Sequence, residues 1–481
     1  MQATKRGMMS CSKSPFLPLP DTVRSAGVDP TCVVIADAPV GQDSAFSFLV
    51  IGDTDAGDES AFSAGFSQQM MAHLGESKFL LHTGDVAYPI GNYKNYFERF
   101  LKPYRQLLTR LPESAFYRRG AVTFKRPFMS VPGNHDCASD GKRWPITWWR
   151  AILRRVCDRL RLSFNLDLGR YGGEGGEAYS ETFLDNLKQL SPDQLKRHLV
   201  NNYSAAVPGS QANHVSGDTS TCLSYRPGAF TRLPNRYYRF RYGGVDFFAL
   251  DSNTWNKDSS AEDFDQPQLD WLEKSLVASW QDSEVIGRIV YLHHSPYTTE
   301  SFHWQQSQPL WVRRHLRAVL NRVAMTLAHS SAKEPLLDLV LSGHAHCLEH
   351  LQTAQSEQGD AGIDWVVCGG SGFDLRKQRR DSLDILENVV HRRRSHAEVV
   401  AHSKFYAGCH RPSRGQPHGR AKTERKVHSF IRVDVQPHQA QKITVCPFLV
   451  TCEDGQWQTK QASSFSVGRV IERRSQGLMS A

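Results

Sequence analysis

Five short polar motifs, each at or close behind the end of an apolar run, constrain the fold of this chain most strongly. They are Gly52-Asp53-Thr54-Asp55, Gly84-Asp85-Val86-Ala87-Tyr88, Gly133-Asn134-His135-Asp136, His293-His294-Ser295-Pro296 and Gly343-His344-Ala345-His346. Apolar runs that stop at turn residues are typical of buried strands. Carboxylates, an amide, a phenol and imidazoles are ligands for hard and borderline metal ions. The motifs therefore predict strands whose ends carry metal ligands.

Strand and helix patterns alternate through the region that carries the motifs. Strands are predicted at 45–51, 78–82, 127–131, 236–240, 244–251, 286–292, 336–342 and 363–368, and helices at 58–74, 266–278 and 308–328. This rhythm favours the α/β class, with the strand ends delivering their ligands to one edge of a sheet. Two later strands, at 427–435 and 442–450, could return to that sheet.

The pattern also predicts a domain organisation. Residues 1–45 are rich in Ser, Pro, Asp and Thr and are expected to form an N-terminal extension outside the core. The catalytic body is assigned to 46–375, interrupted at 140–235 by an insertion that could cap the site as a lid. A basic segment at 376–426 follows, and 427–481 holds the C-terminal strands and a tail.

The positive charge of the chain belongs to one segment. The net charge is +9, and residues 376–426 contain 14 Lys and Arg against 5 Asp and Glu, while the rest carries 44 of each sign. Clustered basic residues attract nucleic-acid phosphates. A solvated loop explains the same composition, so both interpretations stay open.

The cysteines and the apolar runs bear on the cellular environment. The ten cysteines include no Cys-x-x-Cys pair, and no apolar run approaches the roughly 18 residues of a membrane span. No export signal is recognised near the N-terminus. Reduced thiols, a cytoplasmic location and no membrane partner are therefore expected.

The ligand chemistry suggests a pair of metal ions. Two close metals need a bridging ligand, and the carboxylate of Asp85 is the candidate. Tyr88 lies on the same tight turn, and a phenolate is a good ligand for ferric iron. Asn134 adds a neutral amide oxygen, and His344 and His346 face the same side if their segment is extended.

In their order, these motifs resemble the signature of the calcineurin-like metallophosphoesterase superfamily and, within it, of the purple acid phosphatases. That signature includes a histidine in a Val-x-x-His context at a strand end. The resemblance covers about residues 46–375, including the strand pair at 236–251 and the helix at 268–273. It implies a four-layer αββα sandwich with a helical and loop insertion.

The resemblance also implies a ligand set for each metal. The first metal would be held by Asp53, Asp85, Tyr88 and His346, and the second by Asp85, Asn134, His294 and His344. His294 is preferred to His293 because the family pattern runs His, one residue, Pro. The resemblance implies Fe(III) at the Tyr88 site and Fe, Zn or Mn at the second site.

Other positions receive roles outside the ligand set. The resemblance implies that His135 helps to bind phosphate and to protonate the leaving group. His303 falls where some purple acid phosphatases keep an outer-sphere histidine. Asp55 departs from the family pattern and could be a turn residue, an outer-sphere acid or an extra ligand. Asp136 is expected to be a structural hydrogen-bonding acid.

The function implied is hydrolysis of phosphate esters by a metal-bound hydroxide, as in an acid phosphatase acting on monoesters. Its partner would be a phosphorylated small molecule or a nucleotide. A phosphodiesterase acting on nucleotides or nucleic acid is the alternative, supported by the basic segment. A catalytically inactive binding protein on the same fold is a third class, against which the complete ligand set argues.

Overall fold

The structure is a computed structural model, and it describes most of the chain between residues 27 and 470. The residues left out within that range are 37, 40–43, 55–59, 116, 118–119, 138–175, 186, 188–189, 206–220, 329–333, 373, 392–393, 411–424 and 440.

Twenty strands are described, and they are numbered in chain order. They are β1 (Val28–Ile35), β2 (Phe46–Ile51), β3 (Leu80–His82), β4 (Phe128–Ser130), β5 (Tyr203–Ala205), β6 (Thr221–Tyr225), β7 (Tyr238–Tyr242), β8 (Val245–Ala249), β9 (Gly287–Leu292), β10 (Leu339–Ser342), β11 (Leu348–Thr353), β12 (Asp364–Cys368), β13 (Asp384–His391), β14 (Arg394–Ala407), β15 (Cys409–His410), β16 (Arg425–Lys426), β17 (His428–Val435), β18 (Gln441–Glu453), β19 (Gln456–Gln461) and β20 (Phe465–Val470).

Six α-helices are described among these strands. They are α1 (Ser60–Ala72), α2 (Tyr93–Asn95), α3 (Glu177–Phe183), α4 (Pro192–Asn202), α5 (Gln266–Gln281) and α6 (Ser307–Thr326). A π-helix, Tyr96–Leu101, continues α2, and short 3₁₀ turns occur at Arg105–Leu107, Ser252–Thr254 and Gly369–Ser371. The predicted helices at 58–74, 266–278 and 308–328 are confirmed as α1, α5 and α6.

Eighteen of the described strands form two large sheets, and the other two, β15 and β16, pair with each other. One sheet has eleven strands in the order β13-β14-β11-β12-β10-β9-β8-β7-β1-β6-β5, and the other has the order β19-β18-β17-β2-β3-β4 with β20 against β18. In the smaller sheet β2, β3 and β4 are parallel, and in the larger sheet β8, β9, β10 and β12 are parallel. The C-terminal strand β17 pairs antiparallel with β2, so the chain does return to the core sheet.

The main hydrophobic core lies between the two sheets. Phe48 of β2 stacks on Phe79 at 4.8 Å between ring centroids and meets Phe247 of β8 edge-on at 5.4 Å. Side chains alternate across a strand, so the neighbour of Phe247, Phe248, belongs to a second apolar cluster on the opposite face. The two sheets are therefore packed face to face.

Helices cover the outer face of each sheet. The second apolar cluster joins the outward residues of β8, β9 and β10 to α5 and α6, which pack on the larger sheet. On the smaller sheet, Phe66 of α1 lies edge-on to Phe430 of β17 at 6.2 Å. The order helix, sheet, sheet, helix confirms the predicted α/β fold with four αββα layers.

The expectation that residues 1–45 lie outside the core is wrong for Val28–Ile35. This segment forms β1, which is inserted between β6 and β7 of the larger sheet. A disulfide joins Cys32 of β1 to Cys222 of β6 across 190 residues of sequence, so the expectation of reduced thiols is wrong for this pair. Only the pairing of the two strands brings these cysteines together, which is why spacing along the sequence did not predict it.

The basic segment is also more ordered than a solvated loop. Most of 384–407 forms the antiparallel pair β13 and β14, which extends the larger sheet beyond β11. Residues 411–424 of the same segment lie outside the described residues. Among the helices described, none is both long and apolar enough to span a bilayer.

The described parts of the 140–235 insertion pack beside β4 and at the far edge of the larger sheet. Phe183 of α3 stacks on Phe128 of β4 at 5.5 Å, and Tyr203–Ala205 pairs with β6. The remaining parts, 140–175 and 206–220, lie outside the described residues. A lid over the site therefore stays a prediction.

Candidate metal centre

The five motifs follow the ends of five parallel strands, and those ends come together between the sheets. Motifs one, two and three follow β2, β3 and β4 of the smaller sheet, and motifs four and five follow β9 and β10 of the larger sheet. His344 on one side donates its backbone N–H to Asp53 Oδ2 on the other, at 2.9 Å. Contacts across the two sheets thus join the motifs into one cluster.

Three of the candidate ligands adopt backbone conformations that are unfavourable for residues with side chains. Asp53 and Asp85 have φ of 54°, and His344 has φ of 67°. Left-handed residues other than glycine cost on the order of 1–3 kcal/mol each and concentrate at functional sites. The turn after each strand is therefore strained in a way that brings its ligand into the cluster.

Gly133 allows the third motif to approach the second. A Cβ at Gly133 would lie 2.0 Å from Asp85 Oδ1 and 2.2 Å from Asp85 N. These distances are too short for any residue with a side chain. With no side chain in the way, the backbone N–H of His135 donates to Asp85 Oδ1 at 2.8 Å. Glycine is required here by close approach.

The centre of the cluster is formed by Asp53, Asp85 and His293. Ligand atoms of these three residues all lie within 4.8 Å of one another, and all three side chains are buried. His293 Nε2 is 3.4 Å from Asp85 Oδ2 and 2.9 Å from Asn134 Oδ1. Two carboxylates, an amide oxygen and an imidazole therefore converge on one small volume.

Tyr88, His344 and His346 complete the ring around this centre. The Tyr88 hydroxyl donates to Asp53 Oδ1 at 2.7 Å and lies 3.2 Å from His346 Nε2. His344 Nδ1 lies 3.2 Å from Asn134 Oδ1. Six of the seven predicted ligands are thus brought together, with His293 beside them, and these residues are called the candidate metal centre: Asp53, Asp85, Tyr88, Asn134, His293, His344 and His346.

The structure gives the two adjacent histidines different surroundings. Side chains of β9 alternate, with Ile289 and Tyr291 facing the core between the sheets and Val290 and Leu292 facing the helices. His293 continues the inward series and reaches Asp85. His294 instead has Nδ1 2.8 Å from Ser252 Oγ and Nε2 3.3 Å from Asn256 Nδ2. Val290 and His293 have the Val-x-x-His spacing. His294 has the His-x-Pro spacing and its ring centroid lies 4.5 Å from that of His344, so the choice of His294 as a ligand stays a prediction.

Backbone carbonyls fix the tautomers of two histidines in the centre. His293 Nδ1 lies 3.0 Å from Thr83 O, and His346 Nδ1 lies 2.7 Å from Asp374 O. A carbonyl oxygen can only accept, so Nδ1 carries the proton in both rings. This is how a histidine that binds a metal is usually held. Burial lowers the pKa of His346 to about 4, so that ring is neutral and its Nε2 lone pair faces Asp53. For His293 the charges of Asp85 and Asp53 outweigh burial and raise the pKa to about 9, so its Nε2 takes up a proton that a bound metal would displace.

Burial and mutual repulsion dominate the electrostatics of the protein groups. Burial, with the charge of Asp85 adding to it, raises the pKa of Asp53 to about 7. Burial and the charges of neighbouring imidazoles hold the pKa of His344 well below its usual value. Burial also favours protonation of Asp85, but His293 and His135 outweigh it and lower the pKa of that carboxyl. Two buried carboxylates therefore compete for stabilisation by positive charge.

The donor set fits metal ions. It combines carboxylate oxygens, a phenol and an amide oxygen with imidazoles that each turn one ring nitrogen inward, a mixture suited to Fe, Zn or Mn. A bound cation would relieve the repulsion between Asp53 and Asp85. The buried side chains of this centre thus match the chemistry of the cofactors that the sequence predicted.

His135 and His303 each lie next to a different ligand of the centre. The His135 ring packs on Tyr88 at 4.3 Å, and its Nδ1 lies 2.7 Å from Pro89 O, so Nε2 is the nitrogen left for other partners. His303 has its ring centroid 4.4 Å from that of His344, and its Nδ1 bonds the carboxylate of Glu300. Both predicted outer residues are therefore next to the ligands.

The two other acids of the motifs have different outcomes. Asp136 is fully buried and accepts from Val86 N, Gly133 N and the Tyr96 hydroxyl at 3.0, 2.9 and 2.6 Å. Its oxygens are used by internal donors, as expected of a structural acid. Asp55 lies outside the described residues.

Three residues that contact the centre or its neighbours were not identified from the sequence. Glu300 orients His303, Gln306 Oε1 lies 3.4 Å from His344 Nε2, and the backbone N–H of Arg376 donates to His346 O at 2.9 Å. The spacing of three residues from Glu300 to His303 was a signal for the first. Nothing local in the sequence relates Arg376, thirty residues later, to His346.

Residues 46–348, well over half of the chain, match the family described as calcineurin-like phosphoesterase. No curated protein matches the sequence.

Solved structures of three proteins are similar to this chain. A purple acid phosphatase, PPD1 from yellow lupin, has a TM-score of 0.48 at 15% identity and covers 90% of this chain, which spans 56% of that protein. PhoD has a TM-score of 0.43 at 11% identity, and the similarity covers 92% of this chain and 75% of PhoD. GAP50, the anchor in the inner membrane complex of Plasmodium, has a TM-score of 0.41 at 11% identity. The similarity covers 89% of this chain and 90% of GAP50.

Proposed function

Because the chain belongs to the calcineurin-like phosphoesterase family, we propose that it hydrolyses phosphate monoesters, as an acid phosphatase does, with two metal ions in the candidate metal centre. Asp53, Asp85, Tyr88 and His346 would hold the first ion. Asp85, Asn134, His293 and His344 would hold the second. When bound, the two ions would supply Lewis-acid activation of a water molecule and of the phosphoryl group.

One observation carries this proposal. The ligand atoms of Asp53, Asp85 and His293 converge within 4.8 Å, although the three residues come from three strands of two different sheets. The sharing of Asp85 between both ligand sets is supported by its position, with Oδ1 held by His135 N and Oδ2 facing His293. A buried carboxylate with contacts on both sides suits a bridging role.

His135 and His303 are assigned to the substrate. The Nδ1 proton of His135 is engaged by Pro89 O, so Nε2 can exchange a proton with the departing oxygen of the ester. The Glu300 carboxylate accepts from Nδ1 of His303 and supports a positive charge on that ring, whose Nε2 donates to a phosphoryl oxygen when the ring is protonated. The two rings would bind the phosphate from opposite sides of the centre and orient it for attack.

The test is a comparison of a phosphomonoester with a phosphodiester, using purified protein whose metal content is measured. We expect turnover of the monoester to exceed that of the diester, to be lost on chelation and to return when metal is added. A protein that binds less than one equivalent of metal would contradict the proposal. Faster turnover of the diester would favour the phosphodiesterase alternative.

The identity of the first ion has its own test. A phenolate bound to ferric iron absorbs visible light by charge transfer. We propose Fe(III) next to Tyr88, so Tyr88→Phe should abolish a visible band of the iron-loaded protein while leaving the iron content measurable. A band of unchanged intensity in Tyr88→Phe, or iron without any band in the natural protein, would contradict this assignment.

A further inference from the structure

An exposed aromatic ring lies at the mouth of the candidate metal centre. Phe302 is 54% exposed and is the only aromatic residue among the exposed large hydrophobic residues of the described ranges. Its ring centroid is 5.0 Å from that of His303, which is itself 4.4 Å from the ring of His344. The exposed ring is thus separated from a candidate ligand by a single side chain.

A planar cation lies over the same ring. The guanidinium carbon of Arg376 is 5.2 Å from the Phe302 centroid, and its Nη2 donates to Asp374 Oδ2 at 2.7 Å. The Nε atom of Arg376 is buried and has no hydrogen-bond partner within the described part of the chain. Arg376 therefore has a donor to spare beside the centre.

The two segments that carry these side chains are joined to each other. Ser301 N donates to Lys377 O, and Arg379 N donates to Thr299 O, both at 2.8 Å. The backbone N–H of Phe302 donates to the buried carboxylate of Glu300 at 2.8 Å, and Glu300 also holds His303. The exposed ring is consequently fixed relative to the residues proposed to bind phosphate.

We propose that Phe302 and Arg376 form a subsite for a planar aromatic group of the substrate, a nucleobase or an aryl group attached to the phosphate ester. This inference rests on the proposed function. The organic group of an ester bound at the centre would extend to the solvent-exposed side, where the ring of Phe302 lies. Aromatic rings and guanidinium planes both stack on planar groups, whereas an aliphatic alcohol would gain little from them.

The test compares two esters with the same phosphorylated primary alcohol, adenosine 5′-monophosphate and ribose 5-phosphate. Loss of base stacking is expected to weaken binding about 5- to 100-fold. Phe302→Ala should therefore raise KM for the nucleotide within that range and leave KM and kcat for ribose 5-phosphate unchanged. Arg376→Lys, which keeps the charge but loses the plane, should raise the same KM less. Met325→Ala, at an 80% exposed position on α6, is the matched control and should change neither.

Binding of adenosine, which has no phosphate, gives a second measurement that does not depend on turnover. Titration calorimetry should show weaker binding to Phe302→Ala than to the natural protein. The subsite is contradicted if Phe302→Ala affects both esters equally, because the ring then acts only through His303. Adenosine binding that is unchanged in Phe302→Ala also contradicts it. If neither ester is hydrolysed, the phosphatase proposal fails, and adenosine binding alone decides on the subsite.

Discussion

Two groups of buried histidine and aspartate side chains in this molecule differ in how their hydrogen-bond donors and acceptors are paired. His350 of β11 and Asp364 of β12 form one pair, with Nε2 to Oδ1 at 2.9 Å, and the other oxygen of Asp364 accepts from Gly468 N at 3.3 Å. The candidate metal centre instead crowds two carboxylates and three imidazoles together. In the first set each acceptor oxygen has one donor, whereas the second set places two buried carboxylates next to each other.

The difference separates structural polar groups from groups arranged for a ligand. Buried polar atoms in proteins are nearly always hydrogen-bonded, so the His350–Asp364 pair follows the ordinary rule. In the candidate metal centre the Nδ1 protons of His293 and His346 are bound by carbonyls, and the two buried carboxylates repel each other. Burial and this repulsion raise the pKa of Asp53 to about 7, and the carboxylates raise the pKa of His293 to about 9 against the effect of burial, so protons are taken up where a cation could bind. Positive charge is what such an arrangement lacks.

The largest effect should come from exchanging the same carboxylate for an amide in each set. Asp85→Asn should reduce turnover by more than about 100-fold, because even residues that only support metal ligands cost about 10- to 100-fold. Asp364→Asn is the matched control and should leave turnover within about twofold of the natural protein, since it lies outside the centre. Steady-state kinetics with metal present measures both, and equal losses would contradict the comparison.

A smaller effect should separate the two adjacent histidines. His293→Ala should remove about one equivalent of bound metal, because its Nε2 faces Asp85. His294→Ala should keep both equivalents and lose activity about 10-fold, the lower end of the range for a residue that supports ligands. Elemental analysis of the two variants provides the measurement. Metal loss from His294→Ala with retention in His293→Ala would favour the sequence-based choice of His294 as a ligand.

The smallest effect should be on the stability of the fold, when the His350–Asp364 pair is broken. Asp364→Ala leaves His350 and the Gly468 N–H without their acceptor, and an unsatisfied buried group costs about 1–3 kcal/mol. We expect the free energy of unfolding to fall by that amount in chemical denaturation, with metal content unchanged. Denaturation of His350→Phe is the companion measurement. Metal loss from Asp364→Ala would show that the pair supports the centre after all.

Much of the fold followed from local pattern. The apolar runs predicted β2, β3, β4, β8, β9, β10 and β12 and the helices between them, because a buried strand needs apolar side chains on both faces. β1 was missed because Val28–Ile35 lies in a polar N-terminal stretch and is stabilised by pairing with distant strands. The hairpin β13–β14 was missed because its charged residues resemble those of a loop.

The candidate site was predicted in its chemistry but not in every position. The residue types and their order after strand ends identified six members of the centre. The order of residues alone does not decide between His293 and His294, because that choice depends on which face of β9 each residue points to. Glu300, Phe302 and Arg376 were not recognised, because their proximity to the centre arises where two distant loops pair.

The sequence by itself determined which groups are available and that each follows a strand end, since turn residues and apolar runs act locally. The tertiary structure alone decided that three strand ends of one sheet meet two of the other. It also decided that Cys32 meets Cys222, and that Phe302 and Arg376 lie beside His303. Such contacts between distant segments depend on the register and packing of whole sheets, which no local pattern encodes.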